Sequence, residues 1–301
     1  MNYIDFRQRE SEMKYSNKIE KKYYPAIGRI LSPIVLDKLS NEGNSNYLHE
    51  VISNSNFSMY LNKNMSLADF FDFTYNFCLK NYRNEYVYKN AITNKILLGR
   101  HSLNTSTLLT EFRVGSCKAD AVILNGSSTV YEIKSKYDTF NRLENQIEEY
   151  LKVFDNVNVI SEDSQIDKLK KILPKNVGIL TLTKRNTISV FRQAVSNKKN
   201  VDPAVIFDSL RKSEYLNIIN KVFGSVPKVP NTQIFKECKS LFVTLENEIA
   251  HDLMVAEIKK RIPKEHTKDI MSKIPQSLSA YALSSTVKKG KKSEISKLIP
   301  N

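Results

Sequence analysis

Apolar residues recur along this chain with two different periods. Val87, Ala91, Ile92, Ile96 and Leu97 repeat at helical spacing over 85–98, and Leu143, Ile147, Tyr150, Leu151 and Phe154 do so over 143–154. Between these helices the runs 108–114, 119–124 and 129–133 are apolar or β-branched, which predicts three antiparallel strands. Asn125-Gly126-Ser127-Ser128 supplies the turn joining the last two, since Asn-Gly favours tight hairpins. Further on, 157–160 and 177–182 read as buried strands flanking a short helix over 165–173 that Pro174 ends. The predicted order is helix, three strands, helix, strand, helix, strand, an α/β arrangement. Helices are also expected over 24–39 and 67–81, separated by the Asn/Ser/Gly-rich stretch 40–46. More follow over 205–223 and 232–262, with Pro227 and Pro230 breaking between them. The pattern divides the chain into an N-terminal helical extension (1–83), a core (84–195), a C-terminal helical region (196–285) and a basic, flexible tail (286–301).

Within the core, the strand period places chemistry. Asp120, Val122 and Leu124 share one face of their strand, and Val130, Glu132 and Lys134 share one face of the next. A three- or five-residue loop sets Asp120 directly opposite Glu132. A two-residue turn instead pairs Ala119 with Glu132 and requires a bulge to bring the carboxylates together. Two carboxylates and an ammonium so placed suit a hard divalent cation and a water or an anion beside it. The triplet Glu-x-Lys alone carries little, because it occurs five times, beginning at Glu12, Glu20, Glu132, Glu237 and Glu257. Only Glu132 lies in an apolar, β-prone run with a carboxylate on the preceding strand. A surface ion pair is the plain alternative.

The next helix adds two polar residues. Asp138 or Thr139 is placed to cap it, and Gln146 and Tyr150, four apart, share a face with Arg142. With these residues in view, 85–190 resembles the PD-(D/E)XK nuclease superfamily. The resemblance is carried by Asp120, by Glu132-Ile133-Lys134, and by Gln146 with Tyr150, which is similar to the QxxxY element of RecB-like members. The phrases Asn84-Glu85-Tyr86-Val87-Tyr88-Lys89-Asn90 and Tyr131-Glu132-Ile133-Lys134-Ser135 resemble a largely uncharacterised bacterial family within it, of the Sce-locus type. Ala119 stands where the name-giving motif has proline.

The resemblance implies a restriction-endonuclease-like αβββαβ core with a mixed sheet, flanked by N- and C-terminal helices. It implies a nuclease that hydrolyses phosphodiesters, in DNA by preference, with Mg²⁺ or Mn²⁺. Asp120, Glu132 and the Ile133 backbone carbonyl would bind the cation. Glu85 on the first helix would supply another ligand, with Glu111 its rival. Lys134 would orient or deprotonate the attacking water or stabilise the phosphorane, and Gln146 and Tyr150 would position Lys134 or a substrate phosphate. Lys118, Lys136 and Arg142 are the expected phosphate contacts. A setting in phage defence, a toxin system or repair is implied as well. The alternative is a catalytically silent nucleic-acid-binding or partner-gated protein on the same fold, with the helical regions serving a homodimer or a partner.

Composition agrees with a polyanionic partner. The formal charge is +14 with a pI near 9.4, and residues 198–301 hold 19 Lys and Arg against 11 Asp and Glu. Part of this lies in Lys288-Lys289-Gly290-Lys291-Lys292. Cys78, Cys117 and Cys238 form neither a disulfide framework nor a zinc spacing, and the four histidines form no ligand pattern. Eight glycines include no phosphate-binding loop, which argues against an ATPase or dinucleotide module. The absence of a signal-like or 18-residue apolar segment predicts a cytoplasmic protein with no membrane partner.

Overall fold

The computed structural model describes residues 19–43, 45–62, 64–101, 103–262 and 270–284. Residues 1–18 and the lysine-rich tail lie outside the described residues. Six strands form one mixed sheet in sequence order: β1 (Thr107–Val114), β2 (Cys117–Leu124), β3 (Ser128–Ile133), β4 (Asn156–Ser161), β5 (Gly178–Leu182) and β6 (Ile188–Arg192). β1, β2 and β3 are antiparallel, β3–β4 and β4–β5 are parallel, and β5–β6 is antiparallel. Each parallel step needs a crossover, which is why helices intervene there. In addition to the five expected strands, β6 forms an edge.

The period of two sends the strand side chains to two separate cores. Leu108, Ala121, Ile123, Tyr131, Ile133, Ile160, Leu180 and Leu182 face one core. That core is completed by α1 (Tyr24–Arg29), α2 (Pro33–Glu42), α3 (Asn46–Asn54), α4 (Leu67–Asn81) and α5 (Glu85–Ala91). The chain returns to it at 278–283, where Tyr86 donates to the Ser277 carbonyl (2.7 Å). Leu109, Val122, Leu124, Val130, Val157, Val159 and Ile179 face the other core. It is covered by α6 (Leu143–Leu151), α7 (Ile166–Ile172), α8 (Pro203–Asp208), α9 (Lys212–Phe223), α10 (Asn231–Phe242) and α11 (Asn247–Ile258). Both sheet faces are therefore covered by apolar cores.

Several helices depart from the expected bounds for local reasons. The helix expected over 24–39 breaks before Pro33, which opens α2. The stretch after Gly43 holds α3, with Ser45 accepting from the Leu48 N–H as its cap. The expected helices over 205–223 and 232–262 each divide in two. α5 continues through a π-helical stretch, Ile92–Leu97. Neither Asp138 nor Thr139 caps α6, whose first residue is Leu143. Asp138 instead accepts from the Ser135 N–H (2.8 Å) and Oγ (2.6 Å), closing the loop after β3.

Candidate functional site

Leu124 pairs with Ser128, so Asn125-Gly126-Ser127 is a three-residue loop, one of the two lengths that set Asp120 opposite Glu132. The last ladder pair before them is Ala121 with Tyr131. Beyond it, the Asp120 carboxylate takes over a ladder role by accepting the Ile133 N–H at 2.8 Å. On its other side, the β1–β2 ladder runs through Thr110–Ala121 and Phe112–Ala119 but omits Glu111–Asp120. Glu111 has φ 55°, in the left-handed region that a non-glycine residue adopts at a cost of about 1–3 kcal/mol. The alternation slips here on both strands: Leu109 and Phe112, and likewise Ala119 and Val122, are three apart yet enter the same core. Neither carboxylate is therefore committed to a dry face.

α5 completes the group. The Asn84 side chain caps its N-terminus by accepting from the Val87 N–H, which leaves Glu85 in the first turn. Carboxylate oxygens of Glu85, Glu111 and Asp120 lie within 4.8 Å of one another, the one such group among the described residues. Lys89, one helical turn from Glu85, sends its Nζ between Glu85 Oε1 (2.5 Å) and Glu111 Oε1 (2.6 Å). Lys118 reaches Glu111 Oε2 at 3.3 Å.

Beside Asp120 lies a second, deeper network. Glu132 and Lys134 are 1% and 8% exposed, so theirs is not a surface ion pair. Lys134 Nζ donates to Glu132 Oε1 (2.9 Å) and to Gln146 Oε1 (2.9 Å). Tyr150 Oη lies 2.9 Å from Glu132 Oε2 and 2.8 Å from the Lys118 carbonyl. Gln146 Oε1 thus meets Lys134 Nζ directly. Tyr150 does not: it holds Glu132, and being fully buried it is closed to a substrate phosphate. Lys136 and Arg142 are exposed, Lys136 with its Nζ 5.0 Å from the Tyr137 ring centre.

The electrostatics divide along the same line. Burial, then the charges of Glu132 and Glu85, push the Asp120 carboxyl well above the usual carboxylate range against Lys89 and the Ile133 N–H. Glu132 is raised too, chiefly by burial, with Lys134, Tyr150 and Gln146 opposing. Burial also works against the charges of Lys89 and Glu111, but the ion pairs win, raising Lys89 and lowering Glu111. The donor set is three carboxylates, hard oxygen ligands that fit Mg²⁺, Mn²⁺ or Ca²⁺ rather than a soft metal. Opposite ligands of Mg²⁺ stand about 4.2 Å apart at its usual bond length, so small rotamer changes would close the group on a cation.

Lys89 and the left-handed Glu111 are the features of this site that the sequence pattern did not single out. A Glu-x₃-Lys pair on a helix is its only trace in sequence, and such pairs are common on solvated faces.

The family model described as Bacteriophage P4 protein cII matches residues 79–274. The chain belongs to that family. Protein cII of Enterobacteria phage P4 is 26% identical over 123 residues, 40% of this chain and 47% of that protein. The chain thus matches about half the length of this curated relative. The SPO1766 protein of unknown function from Silicibacter pomeroyi is a distant structural neighbour, at 17% identity and a TM-score of 0.27 over 42% of this chain and 87% of that one. That likeness is too slight to inform the fold. The P4 cII family match spans the sheet and all of the residues described above. No helix among the described residues is long and apolar enough to cross a membrane.

Proposed function

We propose that this chain is a divalent-metal-dependent nuclease on a restriction-endonuclease-like core, hydrolysing phosphodiesters in DNA. The observation that carries the reading is the convergence of Glu85, Glu111 and Asp120 within 4.8 Å, beside the buried Glu132–Lys134–Gln146 network. Glu85, Glu111 and Asp120 would hold Mg²⁺ or Mn²⁺, with Glu132 next to Asp120 as a further oxygen donor. The cation, when bound, supplies Lewis acidity toward the phosphodiester and toward a water.

The chain's own residues supply the rest. Lys134 has two of its three donors engaged, by Glu132 and Gln146, and its third would be directed at the attacking water or the developing phosphorane charge. Water oxygen would attack phosphorus as the P–O bond to the leaving sugar oxygen breaks, and the proton the water loses would pass through solvent to that oxygen. Glu132, fixed by Tyr150, keeps the Lys134 ammonium in register throughout. Lys118, Lys136 and Arg142 would serve as phosphate contacts that position the strand without reading its sequence. The formal charge of +14 supports a polyanionic substrate.

A catalytically silent nucleic-acid binder on the same fold is the second reading. What favours it is Lys89, whose ammonium already neutralises part of the carboxylate group. Incubation with plasmid, linear duplex, single-stranded DNA and RNA in Mg²⁺, Mn²⁺ or EDTA separates the two. The nuclease cuts one of these with metal and not in EDTA, and Asp120→Ala abolishes the cut. Binding of DNA without cleavage under either metal supports the silent reading and ends the first.

A further inference from the structure

Lys89 is the one cation in direct contact with both Glu85 and Glu111 among the described residues. Its side chain is only 14% exposed and reaches Glu85 Oε1 at 2.5 Å and Glu111 Oε1 at 2.6 Å. Those are two of the three residues whose oxygens converge with Asp120. A metal ion bonded to these carboxylates at about 2.0–2.2 Å draws on the same Glu85 and Glu111 groups that the ammonium now holds. The two cations therefore compete for them. Exchange is also favoured by charge. Three carboxyl groups share Lys89 and, at the edge, Lys118, so the group holds more acidic side chains than cations. A dication in place of the ammonium removes that excess.

We propose that Lys89 is a built-in competitor for the divalent cation: metal enters the Glu85–Glu111–Asp120 group by displacing the Lys89 ammonium, and Lys89 thereby sets the concentration at which the site loads. This inference rests on the proposed metal site and adds its regulation. The geometry makes the exchange local. Lys89 Nζ ends a four-carbon stem rooted on α5, and its backbone stays fixed in the helix, where its carbonyl accepts from Thr93 Oγ1 at 2.8 Å. Glu85, one turn before it on the same helix, stays in place as Lys89 swings away. An unloaded group lacking Lys89 would hold three carboxylates at close quarters, so the lysine also keeps the empty site folded.

The test is Mn²⁺ titration calorimetry on the full chain. Lys89→Met keeps the stem and removes the charge, and Lys89→Arg keeps the charge. Lys89→Met is expected to bind Mn²⁺ about tenfold more tightly than wild type, a difference of about 1.4 kcal/mol, and Lys89→Arg is expected not to. Equal or weaker binding by Lys89→Met, with wild type binding normally, overturns the inference and leaves the metal site standing. If neither wild type nor Lys89→Met binds Mn²⁺, the metal site itself fails, and the inference with it. Should Lys89→Met not fold, wild type labelled at lysine Cε carries the test. The Lys89 signal must move on Mg²⁺ addition with the same midpoint as binding. A Lys89 signal that stays still while Mg²⁺ binds contradicts displacement.

Discussion

The β2–β3 hairpin has a buried polar knot near each end, and the two are built on opposite terms. At the turn end, Asp155 accepts from Ser127 Oγ, from Ser196 Oγ (2.5 Å) and from the Asn197 N–H (3.2 Å). Its own N–H donates to Ser128 Oγ (3.0 Å), leaving that hydroxyl to donate to His251 Nε2 (2.7 Å) while Asp252 takes the Nδ1 side (3.2 Å). Ser128 and His251 are fully buried, so this serine–histidine–aspartate alignment is closed to any substrate. Burial opposes the Asp155 charge, but the serine donors, His251 and the Asn197 N–H win, and the carboxyl sits below its ordinary range. At the open end Asp120 has one N–H donor and a crowd of other carboxylates, and it sits well above that range. Two aspartates at opposite ends of one hairpin thus differ in the sign of their shift. A satisfied carboxylate ties the C-terminal helices to the hairpin, and an under-compensated one waits for positive charge.

Lys134→Ala makes the largest change, because Lys134 belongs to the open end yet is buried. It is expected to abolish metal-dependent cleavage and, by stranding the Glu132 carboxylate, to cost about 3–5 kcal/mol in urea unfolding. A stable but inactive variant would place the pair's worth in chemistry alone. Next comes the exchange of the two aspartates. Asp120→Asn should lower cleavage by roughly 10³-fold or more while leaving unfolding in EDTA unchanged or slightly more resistant. Asp155→Asn should keep cleavage at low temperature and lose about 2–4 kcal/mol of stability. The comparison breaks if both variants lose stability equally.

Acid titration of stability sharpens the same contrast. Asp155 is depressed in the fold, so its contribution is full above the unfolded value of about 3.9 and is lost as pH falls through the lower folded value. His251 is lowered first by burial, with Asp252 opposing, so its knot weakens as pH drops below about 6.5. Asp120 has the opposite sign. Its raised folded value makes the metal-free protein lose stability as pH rises from about 3.9 toward that value. Thermal melts in EDTA from pH 2 to 8 should therefore show Asp120→Asn gaining on wild type as pH rises above about 3.9, and wild type losing its advantage over Asp155→Asn as pH falls below about 3.9. Parallel curves would contradict the assignment. Smallest is Ser127→Ala, which removes one of several donors from Asp155 and should cost about 1 kcal/mol in urea unfolding with cleavage unaffected.

How much of this was legible in the sequence follows from the range of each interaction. The hairpin was, because period-two alternation and Asn125-Gly126 are local, but the carboxylate register hung on a loop length that only the Leu124–Ser128 pair settles. Gln146 was, because its helix spacing carries it to Lys134. β6 was not read as a strand: it is short, half polar and an edge, with Val190 and Phe191 exposed. The turn-end knot was invisible, since Ser128 and His251 meet across 123 residues with no periodicity to announce it. The slip at Glu111 was hidden for a different reason. A left-handed glutamate has no sequence signature, and only the ladder on both sides shows it.

Mn²⁺ titration calorimetry of wild type, Asp120→Asn and Asp155→Asn, at a temperature where all three are folded, tests the central claim most directly. The account predicts a Mn²⁺ site in wild type that Asp155→Asn retains and Asp120→Asn loses. Equal Mn²⁺ binding by wild type and Asp120→Asn, or none by wild type, would contradict it.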